Sequence, residues 1–291
     1  MKIAVLTDVH ANYVALQAVT DHIESWKPDL VIQAGDLVNR GPKPAECLNF
    51  ALEKQASHGW LFIRGNHEDY VITQSRPDTP SSGAYAEVHR ASIWTYQQLD
   101  CTVTHLESMP SKQDMIDPGG NLVRFVHGSI LHNRDGIYPE TSDWDILPKI
   151  GLSRSESINN PVVFCAGHTH RPLIRTLEGV LVVNAGSAGL PFDGNTRPCY
   201  AQLTWQAGNW KAEIVRVNYD FQQAKRDFFE CGYLNGGGPL VELVLIELRT
   251  ATSQLYNWSS RYQALALAGK ISMRQSVDEY LKEQNITKEY L

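Results

Sequence analysis

Five short apolar runs in this 291-residue chain each stop at a cluster of metal-ligand side chains. KIAVLT leads to Asp8 and His10, LVIQAG to Asp36, LFIRG to Asn66 and His67, LVRFV to His127, and VVFCA to Gly167, His168, Thr169 and His170. Continuous Val/Ile/Leu runs mark strands buried on both faces of a largely parallel sheet, and open α/β sheets gather their ligand sites beyond the carboxyl ends of the strands. The pattern therefore predicts an α/β fold in which five separate strand ends converge on one site.

The donor set narrows the chemistry. Two carboxylates, one carboxamide and four imidazoles form a mixed oxygen and nitrogen set, which suits Mn, Fe, Co, Ni or Zn rather than a thiolate-held structural zinc. Manganese is the first expectation among these. We assign Asp8, His10, Asp36 and His170 to one divalent ion, and Asp36, Asn66, His127 and His168 to a second, with Asp36 bridging. Ions about 3.5–4 Å apart can hold one hydroxide between them, the expected nucleophile.

The blocks DVH, GDLVNRG, GNHE, VHGS and GHTH, in that order, resemble the calcineurin-like metallophosphoesterase superfamily, whose blocks run D-x-H, G-D, G-N-H-[DE], H and G-H-x-H. The resemblance implies a four-layer αββα sandwich of two mixed β-sheets flanked by helices, and hydrolysis of phosphomonoesters or phosphodiesters. It also implies that His67 is no ligand but the general acid for the leaving alkoxide, with Glu68 orienting its ring. Two blocks point to different branches. GDLVNRG and GNHE resemble the phosphoprotein phosphatase and diadenosine tetraphosphatase branch, with Arg40 in the place of its phosphate-holding arginine, but Asn39 stands where that branch has aspartate. GHTH resembles the bacterial phosphodiesterases and broad phosphatases instead, and supplies His170 as an additional ligand.

Charge bounds the partners. A net charge of −6 and a pI near 5.9 argue against a broad basic surface for duplex nucleic acid. Small phosphorylated molecules, such as nucleotides or dinucleoside polyphosphates, are the expected substrates; a serine/threonine phosphoprotein phosphatase is the alternative, and a non-catalytic scaffold on the same fold a more distant one. No run approaches the ~18 apolar residues of a membrane span. The five cysteines lack C-x-x-C spacing, and Met1 runs straight into the first strand. A cytoplasmic protein with reduced thiols and no membrane partner is the expectation.

Periodicity places helices at 12–25, with Asn12 as cap and candidate substrate contact, near 44–56, at 84–99, at 220–231 and through the apolar stretch 240–268. Two hairpins are expected between 172 and 217, forming a second sheet, and a capping box at Ser272 and Gln275 opens a final helix. The polar segments 74–83 and 128–150 are expected to border the site, the latter offering His132 to substrate. The predicted organisation is a phosphoesterase domain over 1–235 and a helical extension over 236–291 that packs on the domain or dimerises it.

Overall fold

The computed structural model describes residues 1–152 and 160–286, so the last five residues of the expected extension, 287–291, lie outside it. Two five-stranded sheets stack face to face. In the first, β1 (Lys2–Leu6), β2 (Leu30–Ala34) and β3 (Leu61–Ile63) run parallel. In the second, β4 (Lys112–Ile116) pairs antiparallel with β5 (Leu122–Val126), which runs parallel to β6 (Val163–Ala166). The hairpin β7 (Leu173–Leu177) and β8 (Val180–Asn184) completes that sheet beside β6. Its two-residue turn, Glu178 and Gly179, has φ of 48° and 81°, as a type I′ hairpin requires.

The other hairpin, β9 (Cys199–Gln206) and β10 (Asn209–Arg216), corrects the expectation. It does not join the second sheet but pairs antiparallel with β1, extending the first to the order β10-β9-β1-β2-β3. Hairpin patterning gives the pairing of two strands with each other, whereas the choice of sheet is a long-range decision. Strand β4 escapes sequence reading because KQDMI is a polar edge strand, its residues alternating exposed and half-buried.

Alternation along the parallel strands builds two cores at once. Ile3, Val5, Ile32, Ala34 and Ile63 meet Val123, Phe125, Val163, Cys165 and Val183 between the sheets. Ala4, Leu6 and Val31 face outward, beneath α1 (Tyr13–Trp26) and α2 (Pro44–His58). On the outer face of the second sheet, Phe164 and Val182 pack against Ile137, Ile146 and Ile150. Most of the segment 128–150 that holds these three is loop, with α7 (Asp143–Lys149) near its end. The four-layer αββα expectation holds.

The remaining helices are α3 (Asn66–Gln74), α4 (Gly83–Val88), α5 (Arg90–Gln98), α6 (Thr104–Ser108), α8 (Phe221–Glu230), α9 (Tyr233–Gly236), α10 (Leu240–Thr250), α11 (Leu255–Trp258), α12 (Ala264–Leu267) and α13 (Met273–Glu283). The expected 84–99 helix is two, broken at His89, and the 240–268 stretch breaks after α10, its second part running continuously through α11, a π-helical turn at Ser259–Gln263 and α12. Helix α10 stops where Ala251 turns left-handed, at φ 50°. The buried Glu247 carboxylate then accepts from the backbone N–H of Gln254 (2.7 Å) and Leu255 (2.8 Å), satisfying the start of α11. The apolar side chains of α10, including Leu243 and Ile246, are buried within the chain against Trp258, Val277 and Tyr280. No helix of the described residues is long and apolar enough to cross a membrane.

Candidate metal centre

Asp8, Asp36, Asn66, His127 and the pair His168 and His170 follow β1, β2, β3, β5 and β6, so the five strand ends meet as predicted. The loops that present them are tightly turned. Asp8, His10, Asp36, Asn39, Arg40, His168 and His170 all have positive φ, between 49° and 68°. Left-handed backbone is disfavoured for such residues and persists only where surrounding contacts hold it. Glycines make room at two points. A Cβ on Gly65 would lie 2.2 Å from Asp36 Oδ1, and one on Gly167 2.2 Å from Thr7 Oγ1, which accounts for glycine ahead of Asn66 and of His168.

The ligand atoms gather in overlapping groups. Those of Asp8, His10 and His170 lie within 4.8 Å of one another, as do those of Asp36, His127 and His168, and those of His10, Asp36 and His67. Asn66 Oδ1 sits 3.1 Å from His127 Nε2, and Asp36 Oδ2 lies 3.2 Å from the same nitrogen. Each of the first two groups contains three of the four residues assigned to one ion.

Hydrogen bonding decides which way the rings face. Nδ1 of His10 meets the carbonyl of Asn39 at 3.3 Å, Nδ1 of His127 that of Ala34 at 2.9 Å, and Nδ1 of His170 that of Leu190 at 2.5 Å. A carbonyl only accepts, so each Nδ1 carries a proton and each Nε2 is the atom turned to the centre, able to offer a lone pair once it is free of its own proton. Those of His10 and His170 are 3.1 Å apart, a repulsive arrangement unless a cation lies near both. Asp8 Oδ1 is buried with no hydrogen-bond partner, though His170 Nε2 is 3.2 Å away. The donor set fits bound divalent ions, with carbonyls orienting three of the four ligand histidines as metal sites require.

Charge follows geometry. Burial raises the Asp8 and Asp36 carboxyls, but His170 beside the one and His127 beside the other lead the contacts that outweigh it, holding both far below the usual carboxylate range. Burial lowers His10 and His168 to about 4. It acts downward on His127 as well, yet the Asp36 charge overrides it and lifts that ring to about 10, so an ion taken up at its Nε2 displaces a proton. The chamber thus attracts positive charge beside its two carboxylates.

A model of the calcineurin-like phosphoesterase superfamily domain matches residues 1–208. The chain belongs to this superfamily. An uncharacterized protein of Methanocaldococcus jannaschii, MJ0912, is 26% identical over 242 residues, covering 76% of this chain and 89% of that one. A metallophosphoesterase from Sphaerobacter thermophilus is similar in structure, with a TM-score of 0.65 and 26% identity over 87% of this chain and 100% of that one. The hypothetical protein PH1004 from Pyrococcus horikoshii OT3 shares the fold at a TM-score of 0.70 and 18% identity, covering 87% of this chain and 99% of its own. The protein is a metal-dependent phosphoesterase, with residue clusters able to hold the ions that its family requires.

Within the phosphoesterase, Glu68 does not orient His67. Its carboxylate is fully buried and accepts from the backbone N–H of Asp36 (2.8 Å), Leu37 (2.8 Å), Val38 (3.1 Å) and Gly65 (2.8 Å), which clamps the Asp36 loop to the start of α3. Burial and then the Asp36 charge push it up to about 7, against the pull of those N–H groups. Glu68→Ala strands four buried donors, so it should cost about 3–5 kcal/mol of stability. Denaturant unfolding would check this, and a loss below about 1 kcal/mol would contradict the clamp.

The partner of His67 is Asn39, whose Nδ2 lies 3.1 Å from His67 Nδ1. Sequence reading registered Asn39 only as a departure from a family pattern. Asn12 is the helix cap: Oδ1 accepts from Ala15 N at 3.2 Å and Nδ2 donates to Gly189 O at 2.8 Å, leaving its amide committed away from substrate. His132 is exposed and its Nδ1 accepts from Arg134 N at 3.0 Å; neither it nor Asn12 lines the cleft over the metal centre. Arg40 does line it, 3.9 Å from Glu247 and 5.7 Å from the Phe192 ring centroid.

Proposed function

We propose that this phosphoesterase hydrolyses phosphomonoesters or phosphodiesters of small, nucleotide-type molecules at a two-ion centre. Asp8, His10, Asp36 and His170 hold one ion, and Asp36, Asn66, His127 and His168 the other, manganese being the first choice. The observation that carries this reading is the convergence of carbonyl-oriented imidazole lone pairs on two buried, ionised carboxylates. When bound, such ions supply an activated water and polarise the phosphoryl oxygens. The chain supplies the rest: Arg40 binds a phosphoryl oxygen, and His67 serves the departing oxygen as proton-side donor, the general acid of the reaction.

Cleft size supports a small substrate. The space above the centre is about 1030 Å³ and is bordered by His67, Tyr70, Tyr138, Phe192 and, from the C-terminal helices, Tyr256 and Trp258. That volume suits a nucleotide-sized molecule. A wall contributed by residues 252–259 also stands where an open groove would be needed for a folded phosphoprotein. In this reading residues 1–235 are the hydrolase domain, residues 236–291 are an extension of which residues 240–263 border the cleft, and the enzyme works in the cytoplasm, in keeping with five free thiols.

Assaying the manganese-loaded enzyme on a phosphomonoester, a phosphodiester, a dinucleoside tetraphosphate and a phosphopeptide tests the proposal. Turnover of a nucleotide substrate above the phosphopeptide is expected; preference for the phosphopeptide would favour a protein phosphatase, and no turnover of any would leave the scaffold reading. Arg40→Ala should raise KM for phosphate-bearing substrates about 10- to 100-fold, the worth of a charge-assisted hydrogen bond. An unchanged KM would remove Arg40 from the substrate site.

A further inference from the structure

Asn39 is buried at the junction of the Asp36 loop, α3 and α5, and its amide makes four contacts. Oδ1 accepts from Arg40 N at 2.9 Å and from Thr95 Oγ1 at 3.4 Å; Nδ2 donates to Ser92 Oγ at 3.1 Å and faces His67 Nδ1 at 3.1 Å. A backbone N–H can only donate, so the amide atom beside Arg40 N must be the oxygen. The nitrogen therefore faces His67. An amide nitrogen also only donates, so His67 Nδ1 must be bare and the ring proton must sit on Nε2. Turning the amide over would set its NH2 against the Arg40 N–H, stranding a buried donor.

The ring so fixed is well placed to act. His67 lines the cleft, stands edge-on to His10 with centroids 4.8 Å apart, and its backbone N–H donates to Asp36 Oδ1 at 2.8 Å. We propose that Asn39 is a positioning residue that holds His67 as the Nε2–H tautomer, and that this matches the enzyme to substrates with acidic leaving groups, phosphoanhydrides and aryl or similarly activated phosphoesters, over alkyl esters. The assignment of leaving groups rests on the hydrolytic reading above; the tautomer does not. In the reaction a water oxygen forms the new P–O bond and gives up its proton to solvent. The old P–O bond breaks, and its electron pair leaves on an oxygen that accepts a hydrogen bond from Nε2–H. An acidic leaving group departs with that hydrogen bond alone; an alkoxide needs the whole proton, and a ring that holds only one, with Nδ1 bare, gives it up slowly.

Asn39→Asp is nearly isosteric. One oxygen can keep the contacts to Arg40 N and Thr95, while the other can accept from Nδ1–H, allowing His67 to carry two protons and release one. The test has two arms. With 15N-histidine in the zinc-loaded full-length protein, the His67 resonances, identified by their loss in His67→Ala, should show a protonated Nε2 and a bare Nδ1. Protonated Nδ1 in the unsubstituted protein would overturn the assignment to Asn39. In the second arm, kcat/KM is measured for a series of phosphoesters of graded leaving-group acidity. The unsubstituted enzyme should fall steeply toward alkyl esters, and Asn39→Asp should flatten that dependence, raising the alkyl-to-aryl ratio about 10- to 100-fold, within the range of general-acid effects. Equal slopes would overturn the leaving-group assignment. No turnover of any substrate would instead sink the hydrolytic reading, with the tautomer still decided by the spectrum.

Discussion

Asp36→Asn should yield a folded chain that has lost most of its metal affinity and at least about 10³-fold in kcat/KM, equivalent to about 4 kcal/mol of transition-state stabilisation. Asp36 is the residue shared by the two proposed ion sites, its Oδ2 lying 3.2 Å from His127 Nε2 and 3.7 Å from His10 Nε2. The fold should tolerate the change because an asparagine Oδ1 can still accept the His67 N–H, now held at 2.8 Å. What goes is the negative charge that lets two cations sit close together. Metal analysis and steady-state kinetics check the two losses separately. Retention of a full metal complement with activity within about tenfold of the original would contradict the bridging role.

His67→Ala should do the opposite, keeping the ions and slowing the chemistry by about 10²- to 10³-fold, the usual cost of removing a donor aimed at developing oxyanion charge. The discrimination is sharp because His67 lies within 4.8 Å of ligand atoms of His10 and Asp36 and is a geometric candidate for a ligand. Its Nδ1 is occupied by the Asn39 amide, which argues for a donor role at the other nitrogen. The loss should grow as the leaving group becomes less acidic. If metal content falls along with rate, His67 is a ligand; if the rate is the same for a poor leaving group, it is not the donor.

The framework of the site was legible because parallel strands must be apolar throughout and must deliver their polar residues at one edge. That logic located Asp8, Asp36, Asn66, His127, His168 and His170 from runs of five or six residues. It could not reach the loop contacts. The seven left-handed ligand-loop residues are not glycines, and nothing local in their sequence announces positive φ. Glu68 was misread because its neighbour in sequence is His67, whereas its four partners include three N–H groups some 30 residues away. The signal available for Asn39 was its very departure from aspartate, since exchanging an acceptor for a donor beside a histidine reverses the tautomer that can bind there. The break after α10 carries neither glycine nor proline. A buried carboxylate, Glu247, stabilises it, and burial was not visible in a uniformly apolar stretch.

Two of the centre's features, the paired Nε2 atoms of His10 and His170 and the buried Asp8 Oδ1, are ones that bound cations would satisfy. The decisive measurement is the metal content of the full-length protein after loading with excess manganese and removal of free ion, read by mass spectrometry with and without His127→Ala. Two ions per chain, falling to one in the variant, is the predicted result. Fewer than two in the unsubstituted protein would contradict the two-ion centre.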